Sequence, residues 1–207
     1  KYVDKIIHNN DIVYGVTTGF GKFCNINISS QDTRTLQVNL IRSHSAGVGE
    51  YLPKDVVRAM MLLRANALAK GYSGIRYSTL QTLIDMLNKD VIPRVPSQGS
   101  LGASGDLIPL SHMVRVMIGE GEASYKGKVM PGKDAMALAG IKPVILEAKE
   151  GLALINGTQA MTAIGGLALA EAINLSKVAD LCGAVTFEAL NGVVDAHDEN
   201  ICLARPY

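Results

Sequence analysis

The chain has 207 residues, 48% of them hydrophobic, and a formal charge of +1 from 20 basic and 19 acidic side chains, enough apolar material for a sizeable core in one or two domains. No run of like charge stands out, which argues against nucleic acid or an anionic membrane as partner. Three widely spaced cysteines (Cys24, Cys182, Cys202), with no C-x-x-C, no H-E-x-x-H and no Cys/His cluster, argue against a disulfide framework or a metal site and fit a reducing cytoplasm.

The opening residues Lys1-Tyr2-Val3-Asp4-Lys5 do not resemble a signal peptide. With no initial Met and an ending at "LARPY", the chain is expected to be a truncated fragment of a longer protein. Residues 53–71, "PKDVVRAMMLLRANALAKG", predict a helix: Pro53 suits its first turn, apolar residues recur at three and four, and Gly71 suits its exit. Residues 77–93 predict another, with Ser78 as cap and Pro93 as stop.

Residues 94–105 hold Pro96, three glycines and three serines and predict a loop. A helix is expected from Leu107 to about Ile118. The segment 119–132, "GEGEASYKGKVMPG", is the one good β candidate, a hairpin or exposed excursion. The short helix "KDAMALAG" follows. From Glu147 to about Leu190 the chain is strongly helical and poor in charge, and 151–170 carries none. That stretch is long enough to span a bilayer, but Asn156, Thr158 and Gln159 and four glycines interrupt it. It fits better at the centre of a helical bundle. The expected fold is mainly α, helices packed on helices.

The stretch "GSLGASGDLIPLSHM", 99–113, allows three kinds of chemistry. Asp106 can simply cap the next helix, with Pro109 tolerated in its first turn. Ser104 can be a nucleophile with His112 as base and Asp106 as orienter, although the G-x-S-x-G elbow is missing. Or the backbone can react with itself. In a tight bend the Gly105 nitrogen meets the Ala103 carbonyl carbon. Loss of water from that ring and of the Ser104 hydroxyl leaves a methylidene conjugated to an imidazolone. Gly105 offers an unhindered nitrogen, Ser104 a β-hydroxyl that can leave, and Ala103 little bulk. The following helix N-terminus favours the developing negative oxygen, and Asp106 can move protons.

Five segments decide among these. The loop 99–113 resembles the prosthetic-group loop of the aromatic amino acid ammonia-lyases, whose Ala-Ser-Gly forms 4-methylideneimidazol-5-one (MIO). "YGVTTGFGKF" (14–23) resembles that family's tyrosine loop, and "RSHSAGVGE" (42–50) its substrate-selectivity segment. "LLRANALAKGYSG" (62–74) resembles a family helix, and "EGLALINGTQAM" (150–161) the asparagine segment. They occur in family order and cover nearly the whole chain.

The resemblance implies an ammonia-lyase/fumarase-like fold. Residues 1–150 would be an N-terminal MIO-bearing domain and 151–207 the incomplete beginning of a central long-helix domain. It implies a self-generated MIO from Ala103-Ser104-Gly105, with the electrophilic carbon at Ser104, and no metal. Tyr14 would be the base for the substrate β-proton, on a loop whose Gly15, Gly19 and Gly21 let it close. By itself "GVTTGFG" fits a phosphate-binding or plain turn-rich loop as well. Asn156 would bind the substrate carboxylate or the prosthetic group; by itself it reads as a buried amide joining helices. Ser43-His44 resembles the histidine-specific members, where those acting on phenylalanine or tyrosine carry Phe-Leu or His-Leu. An imidazole substrate needs hydrogen-bond partners that a leucine cannot supply. The implied reaction is L-histidine to trans-urocanate and ammonia, the first step of histidine degradation, in a homotetramer with shared sites. His8, His112 and His197 are expected to be structural or exposed.

The family's carboxylate-binding Arg, a further Tyr, a Glu and a Phe lie beyond Tyr207 in the pattern, so these residues alone are expected to be inactive. A phenylalanine or tyrosine lyase or an aminomutase, and a non-catalytic helical module, are the alternatives. Exposed apolar surface is expected on the 151–190 helices.

Overall fold

A computed structural model describes residues 2–9, 11–19, 28, 30–102, 105–204 and 206, with the side chains of residues 30 and 31 excepted. The fold is mainly α, as the patterning predicts. It divides into two compact units, 1–165 and 166–207. The change in composition after 150 therefore precedes the division in packing, because residues 150–165 pack within the first unit.

In the first unit α1 (Tyr2–His8) and α2 (Ser30–His44) precede β1 (Val48–Tyr51), α3 (Lys54–Ala69) and α4 (Tyr77–Asn88). Helix α3 buries Val57, Met60, Met61, Arg64, Ala65 and Leu68, a stripe at spacings of three and four. Pro53 stands just before it, and Gly71 at φ +81° lets the chain turn away after it. Helix α4 buries Thr79, Leu80, Leu83 and Met86. Its N-cap is Arg76 with no side-chain cap bond, which corrects the assignment of Ser78. The capping role fails because Ser78 is already helical, and its carbonyl accepts from Thr82 Oγ1.

Two short strands lie in the stretch expected to be loop or helix end. Strand β2 (Ile92–Pro93) pairs with β4 (Glu122–Tyr125), and β3 (Pro96–Gln98) pairs antiparallel with β1. The expected hairpin forms between β4 and β5 (Lys128–Pro131). Lys126 and Gly127 both have positive φ at its tip, the two-residue turn that suits strand twist. Helix α5 (Leu107–Met117) is deeply enclosed, with Leu110, Met113, Val114, Val116 and Met117 fully buried. Helices α6 (Gly132–Leu138) and α7 (Glu150–Ile155) complete this core.

Glu150 anchors the start of α7. It accepts from Arg76 Nε at 3.0 Å and Nη2 at 2.7 Å, from Thr79 Oγ1 at 2.8 Å and from the Glu147 N–H at 2.9 Å. Burial pushes its carboxyl up, but the bonds from Arg76, Glu147 and Thr79 together outweigh that and hold it below its ordinary value.

Helix α8 (Gln159–Ala189) begins in the first unit, where Ala160 and Ala163 are buried. In the second unit its remaining length exposes Leu169, Ile173, Leu175, Leu181 and Val185. A 3₁₀ turn (Val194–His197) and α9 (Glu199–Leu203) follow. His197 stands edge-on to Phe187 at 5.0 Å between ring centroids, and Asp198 caps α9 by accepting from the Asn200 N–H. By length and composition the stretch 150–189 could cross a membrane. Its break after Ile155 and the burial of Ala153, Leu154 and Ile155 instead mark its start as protein core.

Candidate active site

Ala103 and Ser104 lie outside the described residues, so the geometry belongs to their neighbours. The Leu101 N–H donates to Gly105 O at 3.0 Å and the Gly105 N–H to Gly102 O at 2.7 Å, which draws Gly105 back onto Leu101 and Gly102. Gly102 has φ +81°. A Cβ on Gly105 would stand 2.6 Å from Leu101 Cβ and 2.8 Å from its carbonyl carbon. Glycine at 105 is thus demanded by packing as well as by any reactivity at its nitrogen.

Asp106 occupies the N-cap position of α5, but its side chain makes no cap bond, contrary to expectation. It is completely buried. One oxygen accepts from Ser100 Oγ at 2.5 Å and the other from the Met161 N–H at 2.8 Å. Ser100 Oγ also accepts from the Gly102 N–H. The carboxylate therefore ties the turn at 100–105 to the first turn of α8.

His112 is not joined to Asp106. Its Nε2 accepts from the Gly47 N–H at 3.1 Å, so the ring is neutral with its proton on Nδ1. Burial, and secondarily Arg115, holds its pKa below the ordinary value. Asp106 and His112 each serve other partners, so the serine–histidine–aspartate arrangement is not built.

That bond fixes the segment after His44. A Cβ on Gly47 would stand 3.0 Å from His112 Nε2 and 3.1 Å from Pro96 Cβ. Val48 pairs with Gln98, and Gly99 lies beside Gly47. The β1–β3 ribbon so brings Gly47, three residues after His44, beside Gly99 at the start of the 99–106 loop. At the end of α2, His44 Nδ1 lies 2.9 Å from Leu40 O and 3.1 Å from Ser43 Oγ, while Ser43 Oγ donates to Leu40 O. A carbonyl only accepts, so Nδ1 carries a proton; when the ring holds only that one, Nε2 is its acceptor.

Asn156 departs from expectation. It is exposed and lies at the C-terminal end of α7 with extended backbone (φ −85°, ψ 101°), not inside a continuous helix. The Asn156-Gly157 pair is a turn signal that explains the break. Tyr14 stands on a separate turn, 53% exposed. Thr17 Oγ1 donates to Asp11 O and accepts from the Val13 N–H, and the Gly15 N–H donates to Thr18 Oγ1. These bonds close the turn on itself and do not tie it to the 99–106 loop.

The structure thus joins the ends of two expected segments to the 99–106 loop, Gly47 beside Gly99 and Met161 on Asp106. It adds Ser100, a hydroxyl six residues before Asp106, and Gln159, which accepts from Arg64 95 residues away. His112 is the structural histidine that holds Gly47.

A mainly helical chain with this turn at the start of an enclosed helix has the features of an aromatic amino acid lyase. The sequence profile of that family, described as "Aromatic amino acid lyase", matches residues 1–207, and the chain belongs to it. A histidine ammonia-lyase of Alkaliphilus oremlandii is 61% identical over all 207 residues, and one of Clostridium tetani is 59% identical. The chain spans 41% and 40% of their lengths. The crystal structure of histidine ammonia-lyase from Trypanosoma cruzi superposes with a TM-score of 0.93 at 40% identity, over 99% of this chain and 40% of that one. A phenylalanine aminomutase of Pantoea agglomerans gives 0.92 at 35% identity, over 99% and 39%.

Proposed function

We propose that these residues form the N-terminal part of a cytoplasmic histidine ammonia-lyase that converts L-histidine to trans-urocanate and ammonia. The activity would belong to a polypeptide of the relatives' length, as a homotetramer, and not to these residues alone. Residues 1–150 would be the MIO-bearing domain and 151–207 the beginning of the central long-helix domain. The observation that supports the substrate assignment is His44, whose Nδ1 is turned to Leu40 O and leaves Nε2 as the ring nitrogen able to accept, three residues before Gly47 beside Gly99. A substrate imidazole N–H can donate there; a phenyl ring cannot.

Ala103, Ser104 and Gly105 would form the MIO, and the closed turn between Leu101 and Gly105 fits that group. When formed it supplies an electrophilic carbon that makes the substrate amine a better leaving group. Tyr14 takes the β-proton, and its half-exposed turn leaves it accessible. Ser43 holds His44 in place, and Asn156 presents an amide to the substrate carboxylate or to the prosthetic group. Asp106 holds the turn against α8 and can pass protons while the ring forms.

The test is incubation of the full-length polypeptide with L-histidine, L-phenylalanine and L-tyrosine, with the product followed by ultraviolet absorbance. Urocanate from histidine, lost in Ser104→Ala with folding intact, is the expected result. Cinnamate or coumarate, or a β-amino acid, assigns a lyase or aminomutase of another substrate. No product from any of them favours a non-catalytic helical module.

A further inference from the structure

The family-like helix 62–74 contains one residue that the proposed reaction leaves without a role. Arg64 is 4% exposed, on the inner face of α3. None of the ion pairs among the described residues includes it. Burial lowers its pKa to about 10, so it remains a cation at neutral pH. A buried charge without a carboxylate is a net cost to folding, and an apolar side chain of its size would be cheaper.

Its donors show what it does. Nη1 donates to Gln159 Oε1 at 2.9 Å, and Nη2 donates to Ala153 O. Ala153 is in the last turn of α7, where carbonyls lack helical partners and a cation is favoured. Gln159 is the first residue of α8. One guanidinium therefore grips both sides of the break at 156–158. Gly157 completes the fit, since a Cβ there would overlap Arg64 Nη1 and Gln159 Oε1.

We infer that Arg64 is a positioning residue that sets the end of α7 against the start of α8 and so aims the exposed amide of Asn156. The planar fork suits the task, because it binds two acceptors at a fixed angle, which a lysine ammonium does not. This inference rests on the proposed role of Asn156.

The test uses the full-length polypeptide and the amino acid it deaminates, with kcat, KM and thermal midpoint measured for Arg64→Met, Arg64→Lys, Gly157→Ala, Asn156→Ala and the Arg64→Met/Asn156→Ala double variant. Arg64→Met and Gly157→Ala are each expected to lower kcat/KM about 100-fold, the scale of a misplaced contact group. Arg64→Lys should recover part of that loss. The double variant should be no worse than Asn156→Ala alone, because both changes remove one function. If Arg64→Met fails to fold, Gly157→Ala carries the test, since it keeps the charge and displaces only the grip. Lower thermal midpoints with unchanged kinetics overturn the inference. So do losses that multiply in the double variant while Asn156→Ala alone is damaging, and in that case the Asn156 role survives. A silent Asn156→Ala overturns the Asn156 role and the inference with it.

Discussion

The two units use similar residues to opposite ends. In the first, Met60, Leu83, Met86, Leu110 and Met113 are fully enclosed by helices and short strands. In the second, Leu169, Leu175 and Leu181 on α8 are each more than 60% exposed, although the helix is as apolar as any in the chain. Hydrophobicity thus forms a helix in both, but only the first supplies neighbours to cover it. An apolar helix with no covered face is a bundle element waiting for other helices.

The largest contrast should come from matched truncations. Leu83→Ala is expected to cost about 2–5 kcal/mol in urea unfolding, through transfer and cavity terms. Leu175→Ala should stay within about 0.5 kcal/mol, as for an exposed site. Equal costs would show that α8 is covered after all, for example by self-association.

Next in size is Glu150→Ala, at about 3 kcal/mol, because it strands Arg76 and Thr79. The sign with pH follows from the lowered carboxyl. Its stabilisation is complete above the ordinary value of 4.5 and is lost as pH falls through the lower folded value. Glu150→Gln should flatten that acid limb of the stability curve, and no change in the limb would remove the ion pair from the first unit's anchor.

The smallest effect should be local. His112 must be neutral to accept from Gly47, and its folded pKa is depressed. The bond is present above the ordinary value of 6.5 and weakens as pH falls below it. The protection factor of the Gly47 amide, its exchange corrected for the intrinsic rate, should fall at low pH, and His112→Phe should remove that dependence at a cost of about 1 kcal/mol.

What could be seen in the sequence follows the range of the forces. Helices α3, α4 and α5 and the Lys126-Gly127 hairpin were legible because periodicity, prolines and turn residues act locally. The β1–β3 ribbon was not, since Val-Gly-Glu-Tyr and Pro-Ser-Gln carry no alternation and meet only through a pairing about 50 residues apart. The residues of the loop 99–106 were legible by resemblance, but the direction of Asp106 was not. Its partner Met161 lies on another helix, and a local cap is what its neighbours suggest. At Asn156 the local signal is the stronger one: the Asn156-Gly157 turn ends α7 although the flanking apolar run favours a continuous helix.

The most direct measurement is the mass of a proteolytic peptide containing residues 94–115 from the full-length polypeptide, taken for the unaltered chain and for Asp106→Ala. The unaltered peptide should be lighter than its sequence by two water molecules, and Asp106→Ala, which frees the turn from Ser100 and Met161, should leave most of it at full mass. A full-mass peptide from an enzyme that still releases ammonia from histidine would contradict the link between this bend and the reaction.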